Sequence, residues 1–225
     1  MKRTNLFLIL FAVVSICELL AVSRGWTEVQ LVAKPLIMLT LIGYYMSATS
    51  SSNGTLIRAM FFCWTGDILL MGQDGGELYF ILGLLAFLVG HVLYIIAYRQ
   101  LQWEDKSNEL LPTQKLRYAF PVVLAGTGLL VVMIPRLGHL TIPVIVYSLV
   151  LMLMAMAAIF RYGRTYVDSF WLITAGAILF MASDSILAIN KFHTSFAFAG
   201  PLIMLTYILA QYLIVEGVLR HGSKG

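Results

Sequence analysis

The sequence predicts an all-α, polytopic membrane protein with eight transmembrane helices and both termini in the cytoplasm. Three observations carry that expectation: an apolar, charge-poor composition, eight apolar runs each about one bilayer thick, and a one-sided distribution of Lys and Arg. Of 225 residues, 60% are hydrophobic and 12% charged, where a soluble domain has roughly half and about a quarter. A membrane helix takes about 20 apolar residues, so eight of them with short loops use up residues 1–225 as a single membrane domain. No room remains for a separate catalytic module. The formal net charge of +4 gives no sign of a nucleic-acid partner.

The runs follow in order, each bounded by charge, Gly or Pro. The first, 6–23, follows the basic Lys2-Arg3 and stops before Arg24. The second, 29–49, carries Lys34-Pro35 in its first turns and ends at Ser50-Ser51-Ser52-Asn53-Gly54, the clearest turn signal in the chain. The third, 55–73, contains Gly66-Asp67, and the fourth, 77–98, contains His91 and Tyr94. Arg99 to Arg117, with Trp103-Glu104-Asp105-Lys106, reads as a solvated loop. The fifth run is 116–134 and the sixth, with Tyr147, is 139–160. The seventh, 167–190, holds Ser183-Asp184, and the eighth, 197–218, holds Tyr207 and Gln211.

Charge placement tests this count independently. With the N-terminus inside, eleven of the fifteen cationic residues fall on the cytoplasmic side: Lys2, Arg3, Arg58, Arg99, Lys106, Lys115, Arg117, Arg161, Arg164, Arg220 and Lys224. Arg24, Lys34, Arg136 and Lys191 fall outside. That bias has the sign of the positive-inside rule. An alternative reading makes Met1 to Ser23 a cleaved signal peptide ending in Ala21-Val22-Ser23, leaving seven helices; the length of the run and Glu18 near its end weigh against it. Asn53-Gly54-Thr55 matches a glycosylation sequon but sits on a cytoplasmic turn. Cys17 and Cys63 lie in apolar stretches and read as small buried hydrophobes. The hexapeptide Pro35-Leu36-Ile37-Met38-Leu39-Thr40 recurs from Pro201 to Thr206, each copy opening a helix that enters from the outer side. Nothing around the copies repeats at that offset. Gly83, Gly90, Gly126, Gly128 and Gly176 are expected to permit close helix contacts.

Function is best sought where a polar group occupies a costly position. A carboxylate at the centre of a membrane helix costs about 2.5–3.5 kcal/mol on insertion scales. Asp67 and Asp184 lie at matching depths in the outer halves of the third and seventh helices. Glu18, Lys34 and Tyr147 also fall in the outer half, Tyr207 and Gln211 share a face of the eighth helix, and His91 and Tyr94 lie somewhat nearer the cytoplasm; together they could line one polar cavity. Each has a plainer reading. A lone aspartic acid can bridge two helices, Lys34 can snorkel to the interface, and His91 can be a helix-bridging donor. Glu18, near a helix end, can reach headgroups instead, and Glu216 and Arg220 are expected to do so.

Several chemistries are excluded by residue type. Only His91 is deep, so a zinc site is not expected, though Asp and His could still recruit a metal; the expected site has no metal and no cofactor. No nucleophile elbow occurs. Trp64 stands where an intramembrane aspartyl protease needs the first Gly of Gly-x-Gly-Asp. Two carboxyls in one low-dielectric hollow suit acid–base hydrolysis of a lipid, one acid donating a proton while the other stays charged.

The ordered series Lys34-Pro35, Gly66-Asp67, His91-x-x-Tyr94, Tyr147, Leu179-Phe180-x-x-Ser183-Asp184 and Tyr207-x-x-Ala210-Gln211-x-Leu213-Ile214 resembles the YhhN/lysoplasmalogenase family of eight-helix membrane proteins over nearly the full length. The resemblance implies hydrolysis of the vinyl ether bond of a lysoplasmalogen, or a related lysolipid, to a fatty aldehyde and a glycerophospho-base. Asp67 and Asp184 would be the catalytic pair, in roles left open between them. Lys34, His91, Tyr94, Tyr147, Tyr207 and Gln211 would hold the substrate or tune the acids. The partners expected are a lysophospholipid and membrane lipid. A proton-coupled transporter using the same acids, or a lipid-binding protein without catalysis, are the rival readings. Short termini and compact loops suit a bacterial inner membrane.

Overall fold

The computed structural model describes residues 3–72 and 75–222; Lys2, Lys224 and position 73, the end of the third apolar run, lie outside the described residues. It is all-helical. The α-helices are α1 (Arg3–Arg24), α2 (Thr27–Ala48), α3 (Gly54–Met71), α4 (Glu77–Gln100), α5 (Pro112–Leu137), α6 (Thr141–Ile159), α7 (Val167–Ala188) and α8 (Ala199–Gly222). Seven continuous helical segments are long and apolar enough to cross a membrane. One of them, Pro112–Ile159, combines α5 and α6 through the 3-10 turn Gly138–Leu140. Gly138, at φ +53°, breaks it there, a conformation open to glycine at no steric cost, and α5 folds back to pack on α6. The chain is an integral, multi-pass membrane protein by this measure.

Local chemistry explains the boundaries. Asn53 sits in extended backbone and its side chain accepts from the amides of Thr55 and Leu56, capping the orphan donors that open α3. Pro112 occupies the first turn of α5, where its missing N–H costs nothing. Pro35 does not open its helix: α2 begins at Thr27, so the proline lies inside it. Its own carbonyl takes the indole N–H of Trp64 at 3.1 Å, which ties α2 to α3.

Packing closes the helices into a ring. α1 packs on α2, α2 on α3, α3 on α4, α4 on α6, α6 on α7, α7 on α8, and α8 returns to α1. α5 stands outside that ring, against α6 and the π-helical turn Ile189–His193 that follows α7. Glycine permits the tightest approaches. A Cβ on Gly176 would lie 2.8 Å from the Ala210 carbonyl oxygen across α7 and α8, and one on Gly90 would lie 2.9 Å from Cys63 Sγ across α4 and α3. Gly83 and Gly126 are close-packed in the same way, but Gly128 has nothing within 4 Å; it faces outward from the peripheral helix. The two cysteines also differ. Cys63 is buried, whereas Cys17 is on the outer face of α1. Lipid and core are equally apolar, so an outward cysteine and an inward one look alike in sequence.

Candidate active site

The ring has two ends. At one, here the terminal end, the chain begins and finishes; at the far end α1, α3, α5 and α7 stop. Asp67 precedes the end of α3 by one turn, and Asp184 precedes the end of α7 by the same number of residues. Both carboxyls line one cavity of about 140 Å³ in the far half of the bundle. That is roughly ten times the space one water requires. Apolar side chains make up most of the wall, Phe80, Leu84 and Phe87 from α4 and Leu129 from α5 among them.

Each carboxyl is held by a phenol from another helix. Tyr207 in α8 donates to Asp67 Oδ2 at 2.6 Å, and Tyr147 in α6 donates to Asp184 Oδ2 at 2.5 Å. Lys34 in α2 places its Nζ 3.9 Å from Asp67 Oδ1. All three of these partners line the cavity too. A carboxyl in such surroundings must be paired or hydrogen-bonded to persist, and these helices supply both. The site therefore consists of two acids, two phenols and one ammonium, presented by five helices of the ring.

Three further residues singled out from the sequence are not among those lining the cavity. His91, Tyr94 and Gln211 are wholly buried and form a layer beneath it, towards the terminal end. The imidazole of His91 sits among the rings of Phe87, Tyr147 and Phe180, with centroids 6.3, 5.3 and 4.7 Å away. Tyr94 donates to Gln211 Oε1 at 2.5 Å. One helical turn separates Gln211 from Tyr207 on α8, about 6 Å along the axis. That single turn takes Gln211 below the cavity floor.

Glu18, open in the sequence between the polar cavity and the headgroups, is completely buried, and neither carboxylate oxygen has a hydrogen-bonding partner among the described residues. Lys34 and Asp67 are the charges within reach of it, so the ammonium of Lys34 serves two acids. Nothing in α1 alone indicated that Glu18 faces inward; the cue lies in its depth matching that of Lys34 across the α1–α2 hairpin. Glu216 is likewise drawn into the protein, where Tyr44 donates to it and Arg220 approaches at 3.9 Å. At the terminal end Arg161 is completely buried. Its guanidinium donates to Thr165 Oγ1 at 3.0 Å, Ser169 Oγ at 2.8 Å and the Leu101 carbonyl at 3.4 Å. Among the described residues no three His, Cys, Asp or Glu side chains come together as a metal site would need.

In the α4–α5 loop, Glu109 lies between Lys115 and Arg164. The hydrogen bond from Lys115 and these neighbouring charges hold its carboxyl below the usual range. Asp105 is held low by the amide and hydroxyl of Ser107.

Comparison with known proteins places this architecture. No solved structure matches the chain. The protein named lysoplasmalogenase TMEM86A of Bos taurus is 28% identical over 203 residues, which is 85% of this chain and 78% of that protein. A protein named lysoplasmalogenase from Mycobacterium tuberculosis (strain CDC 1551 / Oshkosh) is 32% identical over 165 residues, 72% of this chain and 59% of that protein. Lysoplasmalogenase TMEM86B of Homo sapiens is 27% identical over 197 residues, 87% of this chain and 77% of that protein. The profile of the YhhN family matches residues 29–218, from the start of α2 to the last turns of α8 and including every residue of the cavity site. The chain belongs to the YhhN family.

Proposed function

We propose that this protein is a membrane hydrolase that cleaves the vinyl ether bond of a lysoplasmalogen or a related lysolipid, with Asp67 and Asp184 as its acid–base pair. The observation that carries the reading is the pair of carboxyls facing one largely apolar cavity, each fixed by a phenol. The names of the relatives give the substrate class.

The geometry suits the chemistry of an enol ether. Hydrolysis begins with slow proton transfer to the carbon β to the ether oxygen, which leaves an oxocarbenium ion. Asp184, held by a neutral phenol, is the proton donor. Asp67, with the Lys34 ammonium beside it, is the acid suited to remain an anion; it stabilises the cation and orients water. Water adds to the cationic carbon and returns a proton to Asp184. The resulting hemiacetal expels the glycerol oxygen as an alcohol and becomes the aldehyde. One water is consumed and the acids are restored. Lys34 is also suited to hold the lipid phosphate at the cavity mouth.

The orientation follows the cationic residues. The terminal end, with Arg99, Lys115, Arg117, Arg161 and Arg164 near it, is the cytoplasmic one, and α5 and α6 make two crossings, giving eight. The cavity then opens towards the outer leaflet, at the depth where a lysolipid carries its ether bond. A bacterial inner membrane fits the compact loops. Purified protein in detergent, incubated with lysoplasmalogen, should release fatty aldehyde and glycerophospho-base. A carrier or a lipid-binding scaffold would release neither, and that result would end the hydrolase reading.

A further inference from the structure

Beneath the cavity, the interior of the ring holds a column of polar groups that the catalytic residues do not use. It begins at His91, whose ring abuts Tyr147 at the cavity wall. Both imidazole nitrogens are buried and have no hydrogen-bonding partner among the described residues. Next come the Tyr94–Gln211 pair, in which the amide nitrogen of Gln211 is equally unpartnered. Cys63, on α3, lies against both. One turn further along α4, the ring of Tyr98 stacks on Tyr94 with centroids 5.9 Å apart, and its hydroxyl also has no partner. Tyr98 lies within electrostatic reach of Arg161, whose Nε is unpartnered in turn. Arg161 donates to Thr165, and Thr165 is 2.8 Å from His221 Nδ1 at the end of α8. His91, Tyr94 and Tyr98 share one face of α4 by their spacing of three and four, so the column runs parallel to that helix.

The large majority of buried polar side-chain atoms in proteins are hydrogen-bonded, either to protein or to internal water. Here five atoms over four side chains, all in one column, have no partner among the described residues, and their clustering calls for one shared solution. Internal waters bonding two to four such groups are the common solution. A lipid entering the cavity from the outer leaflet would meanwhile fill the mouth by which outer water could reach the acids. Hydrolysis consumes one water per turnover, so water must arrive by another way.

We propose that this column is a hydrated file leading from the cytoplasmic end to the floor of the cavity, and that it supplies the water of hydrolysis; the supply role rests on the hydrolase reading above. Tyr98 is the narrow point of the file, and its hydroxyl passes water between Arg161 and the Tyr94–Gln211 pair.

The full-length protein in lipid nanodiscs provides the test, in two readouts. Millisecond exposure to radiolytic hydroxyl radicals oxidises buried side chains that touch internal water. Tyr94 and Cys63 are fully buried, yet both should be oxidised in the wild type and protected in Tyr98→Phe. The same substitution should lower the turnover of lysoplasmalogen about tenfold at unchanged KM, equivalent to about 1.4 kcal/mol on the barrier. A purely structural Tyr98 predicts no change in either readout, because its hydroxyl has no partner among the described residues and its loss should be neutral to stability. Unoxidised Tyr94 and Cys63 in the wild type, or Tyr98→Phe matching the wild type in both readouts, overturns the file. Absence of aldehyde from the wild type defeats the hydrolase reading and the supply role together, while the oxidation pattern still decides whether the column is wet.

Discussion

Replacing Lys34 with methionine keeps the length and apolar stem of the side chain and deletes its charge. In the folded protein that charge lies 3.9 Å from a carboxylate oxygen of Asp67, with the two side chains 18% and 5% exposed. Two unit charges at that separation attract by about 4 kcal/mol in an effective dielectric of about 20. Water reaching the partly exposed ammonium reduces this, so a loss of about 2–3 kcal/mol is the working figure, or roughly 30- to 150-fold. The proposed reaction puts positive charge on the substrate in the transition state, and in that proposal Asp67 answers it only as an anion. Lys34→Met should therefore lower kcat by that factor in a coupled assay of aldehyde release, and Lys34→Arg should restore part of the loss. Thermal stability should change far less than activity, since the site faces a cavity. A methionine variant with wild-type kcat would refute the assignment of Asp67 as the standing anion.

Further outcomes follow from the same geometry. Tyr207→Phe removes the 2.6 Å bond to Asp67; hydrogen bonds to charged groups are worth about 1.5–3 kcal/mol, so turnover should fall at least tenfold in the aldehyde assay. Gly176→Val drives a side chain into the Ala210 carbonyl oxygen. Overpacking of this kind costs about 1–3 kcal/mol, to be read as a lower Tm in nanodiscs. Glu109 is held below the usual carboxylate range by Lys115 and Arg164. Its contribution to pinning the α4–α5 loop is thus complete above the ordinary glutamate range and is lost as the pH falls through the lower folded value. Hydrogen exchange over 101–111 should accelerate across that acid window in the wild type and accelerate less in Glu109→Gln once intrinsic exchange is subtracted, the remaining dependence coming from Asp105 and its bonds to Ser107.

Depth was legible in the sequence, and facing was not. Counting residues from the ends of the apolar runs set Asp67 and Asp184 at one level, because rise per residue is nearly constant along a helix. The same count set Lys34 and Tyr147 beside them. Which way a side chain points is another matter when one side of the helix meets lipid and the other meets apolar protein. Amphipathic patterning has little to report there; Cys17 and Gly128 were misplaced for that reason, and Glu18 was left open between cavity and headgroups. The closing of α8 onto α1 and the exclusion of α5 from the ring are long-range facts. No local signal encodes them. The division of the polar residues into a cavity set and a buried column depends on single helical turns, as Tyr207 and Gln211 show, and on aromatic rings of α4 and α7 that form the floor between them.

The account stands on the two carboxyls acting together on one lipid. Asp67→Asn and Asp184→Asn keep the size and hydrogen-bonding capacity of each side chain while abolishing its acidity. Assayed in nanodiscs with lysoplasmalogen, each variant should fold with a Tm close to that of the wild type and release no aldehyde above background. Wild-type release from either variant would contradict the account at its centre.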